Sequence, residues 1–139
     1  MRFLLLLAAL PALAQVRSIE VTFEGMGCAS CIESMPARMK RMRGVESAAV
    51  EGNVLKITLA AENRVRIEQV RDAIEQDGTK ARKAVSVLKG EVAREGEKWV
   101  LRIGGATYPL KSQGAMKEGA QLLTVQLADL RSMVIEVMQ

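Results

Sequence analysis

Cys28 and Cys31 are the only cysteines of the chain, three residues apart in Gly25-Met26-Gly27-Cys28-Ala29-Ser30-Cys31. Two thiols at this spacing can face the same way from one loop and share a soft metal ion, or they can close into a small disulfide ring. Histidine is absent altogether, so imidazole is excluded both as a metal ligand and as a general base. A pair of soft thiolates without a nitrogen ligand suits monovalent copper or mercury. Zinc is the poorer fit, because it wants two further ligands and no histidine or third cysteine supplies them. Gly25 and Gly27 give the backbone freedom to turn tightly and leave space for an ion or a partner to approach.

The elements on either side must hold this loop. Residues 18–24 alternate polar and apolar side chains, the pattern of a strand with one buried face. After Cys31 the residues Met35, Met39 and Met42 fall on one helical face, and Gly44 ends the helix. Cys31 then lies in the first turn and Cys28 just before it, where unpaired amides and the positive helix end favour thiolate. Residues 45–51 and 54–59 read as a hairpin turning at Gly52-Asn53, a pair that tolerates positive φ. Ile67, Val70, Ala73 and Ile74 mark a second amphipathic helix, closed by Gly78 after Asp77. Residues 79–87 make a fourth strand that runs on beyond this unit. The order βαββαβ predicts an α+β, ferredoxin-like domain in which two helices cover one face of a four-stranded antiparallel sheet.

Over about residues 18–84 the chain resembles the heavy-metal-associated (HMA) domain of copper chaperones, of copper-pumping ATPases and of periplasmic mercury-binding proteins. The resemblance rests on Gly25-Met26-x-Cys28-x-x-Cys31 together with Met35, Met39 and Met42, which lie four, eight and eleven residues after the second cysteine, and on Gly44-Val45. It implies that Cys28 and Cys31 are metal-binding thiolates and that Met26 packs beneath the loop without ligating. Members of the family bind monovalent copper, and others bind mercury, zinc or cadmium. Two features depart from the pattern. Pro36 falls inside the first helix, where it should kink the helix or shift its start. Thr79 occupies the place where copper chaperones often carry a tyrosine or lysine beside the metal, with Lys80 one residue late.

Met1-Arg2, the apolar run 3–10 and Ala12-Leu13-Ala14 read as a secretory signal peptide, 1–14, whose cleavage would leave Gln15 first. The expected location is therefore periplasmic or secreted, with no stable membrane anchor, since the run is too short to span a bilayer. The net charge of +4 is spread without blocks, and aromatic residues are 3% of the chain, so no nucleic-acid surface is expected. In the first helix Arg38, Lys40, Arg41 and Arg43 read as a solvated face, with docking of an acidic partner as the alternative.

The division expected is a metal-binding domain at 15–87 and a small all-β module, barrel or sandwich, at 88–139. In the second part, short strands at 87–94, 99–103, 108–110, 122–127 and 133–137 resemble an OB-like barrel, broken at Gly104-Gly105 and Gln113-Gly114. Trp99 and Tyr108 read as core residues. Met116, Met133 and Met138 are scattered and read as core or terminal residues rather than a second copper site. No catalytic constellation is present. The expectation is a non-enzymatic metallochaperone that binds a soft metal, copper first and mercury as the alternative, and exchanges it with a protein donor or acceptor. Thiol–disulfide exchange by the same C-x-x-C pair is the rival from another class.

Overall fold

The computed structural model describes residues 15–24, 29–111 and 116–138; the expected leader at 1–14, the residues Gly25 to Cys28 and the break at Gln113-Gly114 lie outside them. The first elements are β1 (Gln15–Glu24), α1 (Ala29–Lys40), β2 (Val45–Glu51), β3 (Val54–Leu59), α2 (Ile67–Glu75) and β4 (Lys80–Glu95). Their strands run β2-β3-β1-β4, each pair antiparallel, which is the expected ferredoxin-like arrangement. The strand faces alternate as the sequence does. Ile19, Val21, Phe23, Leu55 and Ile57 are buried together with Met35 and Met39 of α1 and Ile67, Val70 and Ile74 of α2. The hairpin turns at Gly52, φ +60°.

Pro36 sits well inside α1 rather than at its start, flanked by the fully buried Met35 and Met39. Packing of the two methionines keeps the helix together where a backbone hydrogen bond is missing. Met42 lies beyond the helix, in the turn that leads to Gly44, and is only partly buried. Gly44 is needed there twice over: its φ is +98°, and a Cβ would come within 2.7 Å of the Asn63 Cβ. Asn63, buried in the loop before α2, donates from its amide to Val16 O and Ala60 O, both at 2.7 Å, and accepts from Val65 N at 3.1 Å. One side chain thus ties that loop to β1.

Four further strands follow: β5 (Lys98–Ile103), β6 (Ala106–Lys111), β7 (Gly119–Leu127) and β8 (Ile135–Val137). The 16-residue β4 serves both parts of the chain. Along one edge it pairs first with β1, up to Lys89, and then with β5 from Glu91 onward. Along the other it pairs with β7 from Ala84 to Val92. The changeover falls at Gly90, where a Cβ would meet Leu101 Cδ1 at 2.9 Å and Leu88 Cδ1 at 3.2 Å. Pairings β4–β5, β5–β6, β6–β8, β8–β7 and β7–β4 close a circuit whose single parallel pair is β6–β8. The position 87/88 therefore lies inside one continuous strand.

The same apolar cluster runs through both parts, joining Ile19 and Ile74 to Leu88, Leu101, Leu127 and Leu130. Leu130 is the clasp. Its amide donates to Arg82 O at 3.0 Å and its carbonyl accepts from Arg71 Nη1 of α2 at 3.0 Å. The Arg82 carbonyl is available because β4 bulges there, the register passing from Thr22↔Lys83 to Phe23↔Ala81. Two expectations for this part need adjusting. β8 begins at Ile135 rather than Met133, because buried Met133 adopts φ 54° in the preceding turn. Trp99 is only half-buried and lies beneath the Arg94 guanidinium, 5.1 Å from the ring centre, whereas Tyr108 is buried as expected.

Candidate metal centre

Cys31 is the third residue of α1, half-buried, with no acidic residue in that first turn to oppose a thiolate. Its carbonyl accepts a hydrogen bond from Ser34 Oγ at 3.0 Å. Cys31 stands in its disulfide-bonded form; Cys28, with Gly25, Met26 and Gly27, lies outside the described residues. A metal-binding role for Cys31 would require its reduction first. Among the described residues no group of three or more aspartate, glutamate or cysteine side chains is gathered to hold a metal.

The strands bring a second loop to the same end of the sheet. Glu24, the last residue of β1, pairs with Lys80, the first of β4, so the chain leaving β1 emerges beside Asp77-Gly78-Thr79. Glu24 is also bonded to Arg82 at 2.7 Å. Thr79, expected beside the metal loop, is buried, while Lys80 is exposed. Asp77 accepts from Thr79 N at 3.0 Å and forms an ion pair with Arg38 at 2.9 Å. Burial pushes the Asp77 carboxyl up, but hydrogen bonds from Thr79 and Arg38 outweigh it and bring the group down to about 2.

Arg38 departs from its expected role. It is not part of a solvated or docking face: its guanidinium reaches across to α2, donating to Ala73 O at 2.8 Å as well as to Asp77, with Ser34 Oγ at 3.4 Å. Lys40, Arg41 and Arg43 are exposed. A chain of contacts therefore runs from the Cys31 carbonyl through Ser34 and Arg38 to the loop at 77–79. Sequence reasoning treated Asp77 only as part of a helix stop. The available signal was an acidic residue just before Gly78 combined with an arginine on the neighbouring helix, which no local pattern pairs.

The copper chaperone CopZ of Staphylococcus haemolyticus is 34% identical to this chain over 59 residues, 42% of this chain and 87% of that protein. The chain belongs to the heavy-metal-associated family. Among solved structures, a CopZ metallochaperone is 26% identical and covers 46% of this chain and 97% of its own, with a TM-score of 0.41. A copper binding domain from HMA7, a P-type ATPase, is 33% identical and covers 47% of this chain and 89% of its own, with a TM-score of 0.42. No profile of a known protein family matches the chain. The family likeness extends over less than half of the sequence, and the relatives are correspondingly shorter than this chain.

Proposed function

We propose that the chain binds one monovalent copper ion through the thiolates of Cys28 and Cys31 and passes it to a partner protein. The observation that carries this reading is the 34% identity to a copper chaperone spanning 87% of that protein, with Cys31 in the first turn of α1 as its local support. Two thiolates leave the ion open to attack. A partner thiolate forms a new copper–sulfur bond while the bond to Cys28 or Cys31 breaks, and copper stays monovalent throughout. The chain's contribution is to hold two ligands on a firm base: Met35 and Met39 anchor α1 in the core, and the Arg38–Asp77 pair fixes the facing loop. Mercury would fit the same two sulfurs.

In this reading the protein is a carrier rather than an enzyme, it works in the periplasm or outside the cell after removal of 1–14, and it carries its metal unit at 15–87. Among the described residues no helix is long and apolar enough to cross a membrane. The test is a titration of the reduced, anaerobic protein with monovalent copper against a chromogenic chelator. One equivalent bound, and lost on replacing the cysteines, supports the proposal; undiminished binding by the double serine variant overturns it. The disulfide at Cys31 favours a second reading, thiol–disulfide exchange. Catalysed reduction of a model disulfide by the metal-free protein would select it.

A further inference from the structure

At the end of the sheet away from the Cys31 turn, a cleft of about 1110 Å³ opens between the loop before α2 and the β5–β6 turn. Its walls come from both parts of the chain, and its volume is at or above the usual range for small-molecule sites. Buried Val16, Val65, Ile67 and Tyr108 make an apolar base. Exposed Arg64 and Arg66, with half-buried Lys89, bring three cations to the same cleft. Arg102 also lines it, but is held by Glu91 at 3.7 Å and Glu95 at 3.3 Å.

Among the described residues, Arg64, Arg66 and Lys89 form no ion pair. Of the two carboxylates lining the cleft, Glu91 is engaged by Arg102 and Glu62 remains beside the three cations; a further carboxylate, Glu68, is hydrogen-bonded to Tyr108 at the base. Gly105 adds an independent observation. Unlike Gly104, φ +60°, it has no positive φ, and a Cβ placed on it meets nothing within 4 Å. A side chain placed there would reach into the open mouth of the cleft rather than into packed protein.

We propose that this cleft binds an organic anion with an apolar body, the head group held by Arg64, Arg66 and Lys89 and the body lying over Val65, Ile67 and Tyr108. A carboxylate and a phosphate ester share the chemistry required. The site is separate from the cysteines, so its occupancy does not depend on metal. Because the cleft is walled by both the α2 loop and the β5–β6 turn, a ligand in it holds the two parts of the chain together.

The test uses the full chain at low salt, with anilinonaphthalene sulfonate as fluorescent probe and decanoate, octyl phosphate and decanol as competitors. The expected result is saturable one-to-one binding, displaced by decanoate or octyl phosphate at concentrations at least roughly tenfold below those of uncharged decanol. Whichever anion displaces the probe at the lower concentration identifies the head group. The double variant R64E/R66E should weaken binding by at least roughly tenfold, and Arg66→Gln by less. Gly105→Leu should weaken it by obstructing the space. Thermal melts establish that each variant is folded, and unchanged copper titrations separate this result from the metal proposal. Amide shifts of Val65, Arg66 and Gly105 should follow the titration. Absence of saturable binding, equal displacement by decanol, or indifference of folded charge-reversal variants would overturn the proposal.

Discussion

The part of the chain up to β4 and the part after it differ in how they are built. In the first, each strand and helix has its own apolar periodicity, and the cluster beneath Cys31 is made by two helices lying on one sheet face. In the second, the strands are short, they close a circuit only by borrowing β4, and their core merges with that of the first part through Leu88, Leu127 and Leu130. The cysteine end is a local device, one loop and one helix start. The opposite end is a joint product of distant segments. Substitutions at the first should therefore change metal affinity with little effect on folding, and substitutions at the seam should do the reverse.

The sharpest test of that contrast is replacement of Cys28 or Cys31 by serine. In a two-ligand site either change should lower monovalent copper affinity by orders of magnitude, with the unfolding transition little altered. Truncation to 15–87 probes the seam: it removes β7 from the β4 edge together with Leu88, Leu127 and Leu130, each worth roughly 1.5–3 kcal/mol when buried. The fragment should still unfold cooperatively and bind copper, but at a markedly lower melting temperature. A metal-free, unfolded fragment would mean that the metal-binding part does not fold without the strands that follow it.

Single substitutions refine the same picture. Leu130→Ala should cost about 2–5 kcal/mol in urea unfolding, since a fully buried side chain is lost where the turn meets α2 and β4. Metal affinity should stay unchanged. The smallest expected effect concerns Asp77, whose carboxyl titrates at about 2 instead of the ordinary 3.8. Its contribution is complete above the ordinary value and fades as pH falls through about 4 toward 2, on the order of 2 kcal/mol in all. Asp77→Asn should forfeit that stability at pH 7 and converge with the parent near pH 2, as followed by urea unfolding.

Most of the first part was legible because its information is local. Helical spacing marked Met35 and Met39, alternation marked β1, and Gly52-Asn53 marked the turn between the strand-like runs that became β2 and β3. Even in the second part the strand positions were readable from apolar runs and glycine breaks. The misreadings of Arg38 and Asn63 came from partners far away in sequence, whereas those of Met133 and Trp99 came from local turn and hairpin geometry. Arg38 looked like a surface charge because nothing nearby in the chain reveals Asp77, and Asn63 drew no notice because its acceptor, Val16 O, belongs to another strand.

By itself the sequence determined the βαββαβ order, the buried faces and the setting of Cys31 at a helix start, since these follow from periodicity, glycine conformation and helix-end electrostatics acting over a few residues. Only the tertiary structure decided that the long β4 would share its edges among β1, β5 and β7, that Leu130 would close the core beside α2, and that Arg64, Arg66 and Lys89 would line one cleft. Those outcomes depend on strand register and side-chain packing between segments far apart in sequence, and no local preference encodes which distant edge a strand will meet.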